Sequence, residues 1–249
     1  MHDYQTFKLS PNFPFLLDSS RGRIELSDVV NQAIETIWQR EKEQRKEQLF
    51  NGKVLSLVEY SPDGRLVAEF IEYKYFLAYV QEPSLRKKLG IKPISLSCIT
   101  RTSKAVLVGQ RSEVVMQYPL WFELVPSGGI DAGSIEGEKG ERINVIEQAL
   151  RELEEETGYL AEVVQQATPF ALVYDSNTAM YEVCVEIVLH SDKVNPKVNQ
   201  SLPPTFEYDV LKWVYKADMP AFIQQHSENF VPLSLHLLNL AWARLEPHF

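Results

Sequence analysis

Residues 151–158 read Arg-Glu-Leu-Glu-Glu-Glu-Thr-Gly. On a helix, Glu152, Glu155 and Glu156 stand at i, i+3 and i+4, so three carboxylates project from one patch. Gly158 marks the helix stop, which puts those carboxylates in the last turns, at the negative end of the helix dipole. Glu152 and Glu156 also repel each other directly. A cation removes both costs. Hard divalent ions such as Mg²⁺ take carboxylate oxygens together with phosphate oxygens and water. The octet therefore predicts a metal-dependent enzyme acting on phosphates.

Such a helix needs a defined start and a scaffold. Asn144, with Glu147 three residues on, has the form of a capping box. Ile146, Ala149, Leu150 and Leu153 supply an apolar stripe, expected roughly opposite the carboxylates. Before the helix, ISLSCITRT, AVLVGQRS and WFELVPS read as short strands, followed by a Gly-rich charged loop over 128–141. After it come strands around 170–175 and 180–190, a Pro-rich loop over 195–204, a strand in DVLKWVY, and a last helix over about 233–245. That helix carries a stripe of Leu233, Leu237, Leu240 and Leu245.

Toward the N-terminus, residues 1–23 read as mostly irregular, and a helix is expected from Ser27 to about Gln48. Residues 53–60 and 65–80 read as a hairpin around the turn signal Ser61-Pro62-Asp63-Gly64. The resulting expectation is an α/β (α+β) chain, with an N-terminal extension over 1–94 (helix plus β-hairpin) and a main domain over 95–249.

Composition bounds the function. The 249 residues, 45% hydrophobic and 24% charged, suit a soluble globular protein. No run of about 18 apolar residues exists, which argues against a membrane span or membrane partner. The first residues lack the basic and apolar regions of a secretion signal, and a cytoplasmic location is expected. Cys98 and Cys184 form neither a disulfide framework nor a zinc pattern. A net charge of −9 argues against a nucleic-acid partner. It leaves room for a small phosphate ligand held through a metal.

Val125-Pro126-Ser127-Gly128-Gly129, followed by Arg151 to Gly158, resembles the box of the Nudix hydrolases, G-x5-E-x7-R-E-U-x-E-E-x-G-U with U a bulky aliphatic residue. The second half matches every fixed position but the last, where Tyr159 stands for an aliphatic. The first half is stretched: the place of its glutamate falls on Ile143, and twelve residues separate Gly128 from Glu141. Glu141 is the first choice for that glutamate, with Glu136 and Glu138 as alternatives. GQRS (109–112) and Tyr118-Pro119-Leu120-Trp121 also resemble Nudix context, so the likeness covers about 95–245. LFNG (49–52) and IKPISLSC resemble a branch with an N-terminal extension that hydrolyses UDP-glucose-type nucleotide sugars.

The resemblance implies an α/β/α sandwich with a mixed sheet, and hydrolysis of a nucleoside diphosphate linked to another moiety, with a UDP-sugar as one such substrate. ADP-ribose, thiamine diphosphate and nucleoside triphosphates are alternatives, as is a non-catalytic nucleotide-binding module. It implies Mg²⁺ or Mn²⁺ held by Glu152, Glu155 and Glu156 with a backbone carbonyl near Ser127 or Gly128. Arg151 would orient the cluster by pairing with a glutamate such as Glu155. Arg111, Trp121 and Gly129 would contact substrate, although Arg111 also suits an ordinary surface charge and Trp121, like Tyr118, core packing. The general base would come from a later loop: Glu207 first, Asp209 second, with Glu182 and Glu186 as alternatives. Isopentenyl diphosphate isomerases share the fold and use a cysteine, but no histidine follows Cys98, which reads instead as a small buried residue. A homodimer is compatible with the extension.

Overall fold

Strand sequences that are apolar at successive positions belong in the middle of a sheet covered on both faces, and the apolar stretches within 94–124, 164–189 and 208–215 are of that kind. In the computed structural model, which describes residues 3–20, 25–45, 49–137, 141–194 and 206–245, they form one mixed sheet. Its long strands are β5 (Ile94–Arg101), β6 (Ala105–Arg111), β11 (Val164–Asp175), β12 (Met180–Leu189) and β13 (Tyr208–Tyr215). β1 (Tyr4–Lys8) adds to the edge, giving the order β1-β11-β12-β5-β6-β13. The short β7 (Phe122–Leu124) pairs with β6, and β8 (Ser127–Gly129) with β5. Only β12 and β5 run parallel within it.

The alternation of side chains assigns each face a partner. Leu96 and Cys98 on β5, with Ala105 and Leu107 on β6, pack with Ala149 and Leu153 of α4 (Val145–Thr157). Their neighbours Ile99, Val106 and Val108 pack on the opposite side, against Met219 of α5 (Met219–Gln225) and Leu237, Leu238 and Ala241 of α6 (Pro232–Leu245). Helix, sheet and helix thus form three layers, the α/β/α arrangement.

A second sheet, in the order β3-β4-β2-β10-β9, joins β3 (Lys53–Tyr60), β4 (Leu66–Glu72) and β2 (Phe15–Leu17) to β9 (Ile135–Glu136) and β10 (Arg142–Ile143). The enlarged loop is therefore partly a two-stranded hairpin that extends this sheet. Glu136 accepts from the Asn144 side chain at 3.1 Å, and the Glu141 carbonyl accepts from Leu17 N–H at 2.9 Å. Glu138 lies outside the described residues. Helices α1 (Asp28–Arg45), α2 (Tyr73–Gln81) and α3 (Arg86–Leu89) share a core with Ile71, Ile91 and Met180.

Two expectations need correction. Residues 4–8 are a strand of the main sheet, because pairing with the edge of β11 satisfies their backbone groups. Residues 73–81 form a helix, since packing against α1 overrides the β-propensity of their aromatic residues. The N-terminal segment also shares one core with the rest: Phe15, Leu55 and Leu66 pack in the same cluster as Leu96 and Ala149. α5 was not expected at all, and the Pro-rich loop lies outside the described residues. No described helix is long and apolar enough to cross a membrane.

Candidate active site

Helix α4 begins as its sequence predicts. The Asn144 side chain accepts from Ile146 N–H at 3.1 Å and Glu147 N–H at 3.0 Å, and Gly158 ends the helix at φ +74°. The carboxylates are not arranged as expected. Ala149, Leu153 and Glu156 follow one i, i+4, i+7 stripe, so Glu156 is buried at 3% exposure within the apolar face. Glu152 is half-buried beside it, while Glu155 is exposed. The acidic patch therefore adjoins the core stripe.

Strand β8 closes over these acids. A Cβ on Gly128 would fall 2.8 Å from the Glu152 carboxyl, so any other residue here would push that carboxyl out of its present place. Ser127 N–H donates to Glu156 at 3.4 Å, and Gln148 donates to Glu152 at 2.7 Å. Burial pushes the Glu152 carboxyl up to about 7, with Glu155, Glu207 and Asp131 adding repulsion against the Gln148 bond. Burial also raises Glu156 well above the usual carboxylate range, helped by Glu123, Glu152 and Glu207. Glu207 rises for the same first reason, with Glu123 adding to it and Arg111 opposing. Burial and neighbouring acids thus disfavour the charge on Glu152, Glu156 and Glu207 alike.

Beyond β8 opens a cavity of about 470 Å³. Ser127, Gly128, Gly129, Glu123 and Glu207 lie on its wall; Glu152 and Glu156 stand outside the lining, next to that strand. The N-terminal segment supplies another wall, including Tyr73 and Phe76 of α2.

No protein-family model matches the chain, and no curated protein matches it in sequence. Among solved structures, it is similar to the bifunctional NMN adenylyltransferase/ADP ribose pyrophosphatase of Francisella tularensis, solved with AMP and a manganese ion. Identity is 14%, covering 75% of this chain and 57% of that one, at TM-score 0.44. It is also similar to a Nudix family hydrolase of Clostridium perfringens, at 15% identity over 61% of this chain and 97% of that one, TM-score 0.36. A MutT protein of Methanosarcina mazei is 21% identical over 49% of this chain and 78% of its own, at TM-score 0.30. The site must be argued from its own geometry.

Several expected residues take other places. Arg151 pairs with Asp131 at 3.3 Å and donates to Gln148 at 2.8 Å, so the ion pair expected with Glu155 is replaced by one that ties the loop to α4. Arg111 lines the cavity but is bound to Glu123 and to the Gln117 carbonyl. Trp121 does not reach the cavity; its ring packs against Tyr118 at 5.0 Å. Asp209 is exposed on β13, and Glu186 is paired with Arg101 at 2.7 Å. Cys98 is fully buried, and burial pushes its thiol well up.

Glu123 was missed. It accepts from Arg111, from Tyr208 Oη at 2.7 Å and from Ser127 Oγ at 3.3 Å. The signal was available: it is the one acid inside the otherwise apolar run WFELV, and a buried acid must be satisfied.

Proposed function

We propose that this chain is a divalent-metal-dependent pyrophosphohydrolase of the Nudix type, acting on a nucleoside diphosphate linked to another moiety such as the sugar of a UDP-sugar. The observation that carries this reading is the gathering of Glu152, Glu156 and Glu207 around β8, where burial and neighbouring acids, Glu123 among them, disfavour the charge on each of the three.

The donor set fits Mg²⁺ or Mn²⁺. Buried carboxylates with raised affinity for protons are placed to exchange them for a hard divalent cation, and the absence of a Cβ at Gly128 leaves room beside the Glu152 carboxyl. Among the described residues, no group of three His, Cys, Asp or Glu side chains is already gathered on one point. Glu152 and Glu156 would hold the ion, with the Gly128 carbonyl beside them and Glu155 adding charge from the exposed side. The bound ion would neutralise the diphosphate and acidify a water.

The remaining roles fall to the chain. Gly129 offers its backbone on the cavity wall, where a phosphate can approach. Glu207 lies on the same wall, its carboxyl raised above the ordinary carboxylate value by burial, the direction that strengthens a carboxylate as a base. It would take the proton of the attacking water. Arg151, through Asp131 and Gln148, holds the loop and the Glu152 neighbourhood in register.

The test is a product assay with Mg²⁺ over UDP-sugars, ADP-ribose, dinucleotides, thiamine diphosphate and nucleoside triphosphates. The expected products are two phosphate esters from one diphosphate. A protein that binds these compounds with metal and cleaves none would replace the reading by a non-catalytic nucleotide module.

A further inference from the structure

Beside β8 the cavity wall carries a group of side chains that the hydrolytic reading leaves unused. Glu182 on β12 sits across the parallel pairing from Ser95 on β5. Ser95 Oγ donates to one of its carboxylate oxygens at 2.8 Å and Ser97 Oγ to the other at 3.1 Å. All three residues line the cavity. Each carboxylate oxygen has two acceptor directions, so this clamp fixes the carboxyl plane and leaves capacity on both oxygens for donors arriving from the cavity.

The surroundings select the kind of donor. Thr178 and Gln117 join the two serines as neutral polar groups on the wall, Asp175 supplies a second carboxylate, and Tyr118, Tyr73 and Phe76 offer aromatic faces. Hydroxyl groups both donate and accept, so they can serve the carboxylates and the neutral groups together. An ammonium only donates, and would leave the donors of the wall without acceptors. Aromatic faces cover the apolar C–H side of a ring whose edge carries the hydroxyls.

Resting on the pyrophosphohydrolase reading, we propose that the wall around Glu182 holds the sugar ring attached beyond the diphosphate, and that Glu182 is the specificity-determining residue that accepts its hydroxyls. The N-terminal segment, through Tyr73 and Phe76, forms part of the sugar site.

The experiment compares wild type with Glu182→Gln and Ser95→Ala, using UDP-glucose as substrate and UDP as competitive inhibitor. Glu182→Gln is expected to raise KM for UDP-glucose about tenfold, the size of one buried hydrogen bond to a charged acceptor, with kcat within about twofold and the inhibition constant of UDP unchanged. Ser95→Ala, which removes one clamp hydroxyl only, should raise KM by a smaller factor and serves if the first variant does not fold. An unchanged KM, or an equal rise in KM and in the UDP constant, overturns the assignment. A wild type that cleaves other diphosphates but shows no preference for UDP-glucose over UDP in calorimetric binding sinks this inference and leaves the hydrolytic reading intact. A wild type that cleaves none of the panel sinks that reading instead. The calorimetric comparison then still decides for Glu182, whose substitution must abolish any preference.

Discussion

Glu156 is the residue on which sequence and structure put the most weight. Its carboxyl is buried in the apolar stripe of α4, and its charge is opposed by burial and by three neighbouring acids. Glu156→Gln removes that cost and a metal-binding oxygen at once. The variant is expected to be at least as stable as wild type near neutral pH, yet to lose metal-dependent turnover to below about a tenth, the least that losing a direct ligand should cost. Thermal melts beside rates at several Mg²⁺ concentrations check both halves; retained activity would remove Glu156 from the metal site. For Glu207→Gln the expected loss is about a hundredfold or more in kcat, and an unaffected rate would mean that another group takes the proton. The octet displayed these acids in sequence, and the i, i+4, i+7 spacing of Ala149, Leu153 and Glu156 was there to read; that the sheet covers this line as far as Glu156 depends on packing between distant segments. Glu123 was hidden for a related reason: its partners Arg111 and Tyr208 are distant in sequence and meet it only across paired strands.

At the scale of elements, the α4 helix and most central strands were legible because their signals are local: an Asn cap, a Gly stop, and apolar runs bounded by turns. β1 and α2 were not, since each depends on a partner far along the chain, β11 for the first and α1 for the second. The join between β6 and β13 shows how an element can hold a site. A Cβ on Gly109 of β6 would meet the Tyr208 ring at 2.5 Å and Val125 at 2.9 Å. Tyr208 is fully buried and its hydroxyl is fixed on Glu123, so the ring has nowhere to move. Gly109→Ala should therefore destabilise the protein by about 1–3 kcal/mol, the usual cost of overpacking. It should also weaken turnover by displacing Tyr208 from Glu123. Urea unfolding and steady-state rates test this. A variant with wild-type stability would show that β13 slides freely past β6.

For the whole molecule, the acids give folding a pH dependence that metal should reverse. Glu152 and Glu182 have carboxyls raised to about 7 from an ordinary value of 4.5, both chiefly by burial, and Glu156 and Glu207 move the same way. Between those values the folded, metal-free protein keeps protons that the unfolded chain has released. Stability must then fall as pH rises through this window, by about 1.4 kcal/mol per pH unit for each proton retained. His226 and His236 act in the opposite sense, because burial holds both below 6.5 and the unfolded chain binds their protons more readily. The wild-type slope is therefore a sum, and its difference from that of Glu156→Gln isolates the carboxylate: with EDTA present, the melting temperature of the variant should decline less steeply between pH 5 and pH 7.5. Mg²⁺ competes with protons for the same oxygens, so it should stabilise wild type strongly at pH 7.5 and weakly at pH 5, and the variant weakly at both. Parallel EDTA slopes for the two proteins, or an equal Mg²⁺ effect on them at pH 7.5, would show that the buried acid of α4 is neither the proton store nor the metal ligand.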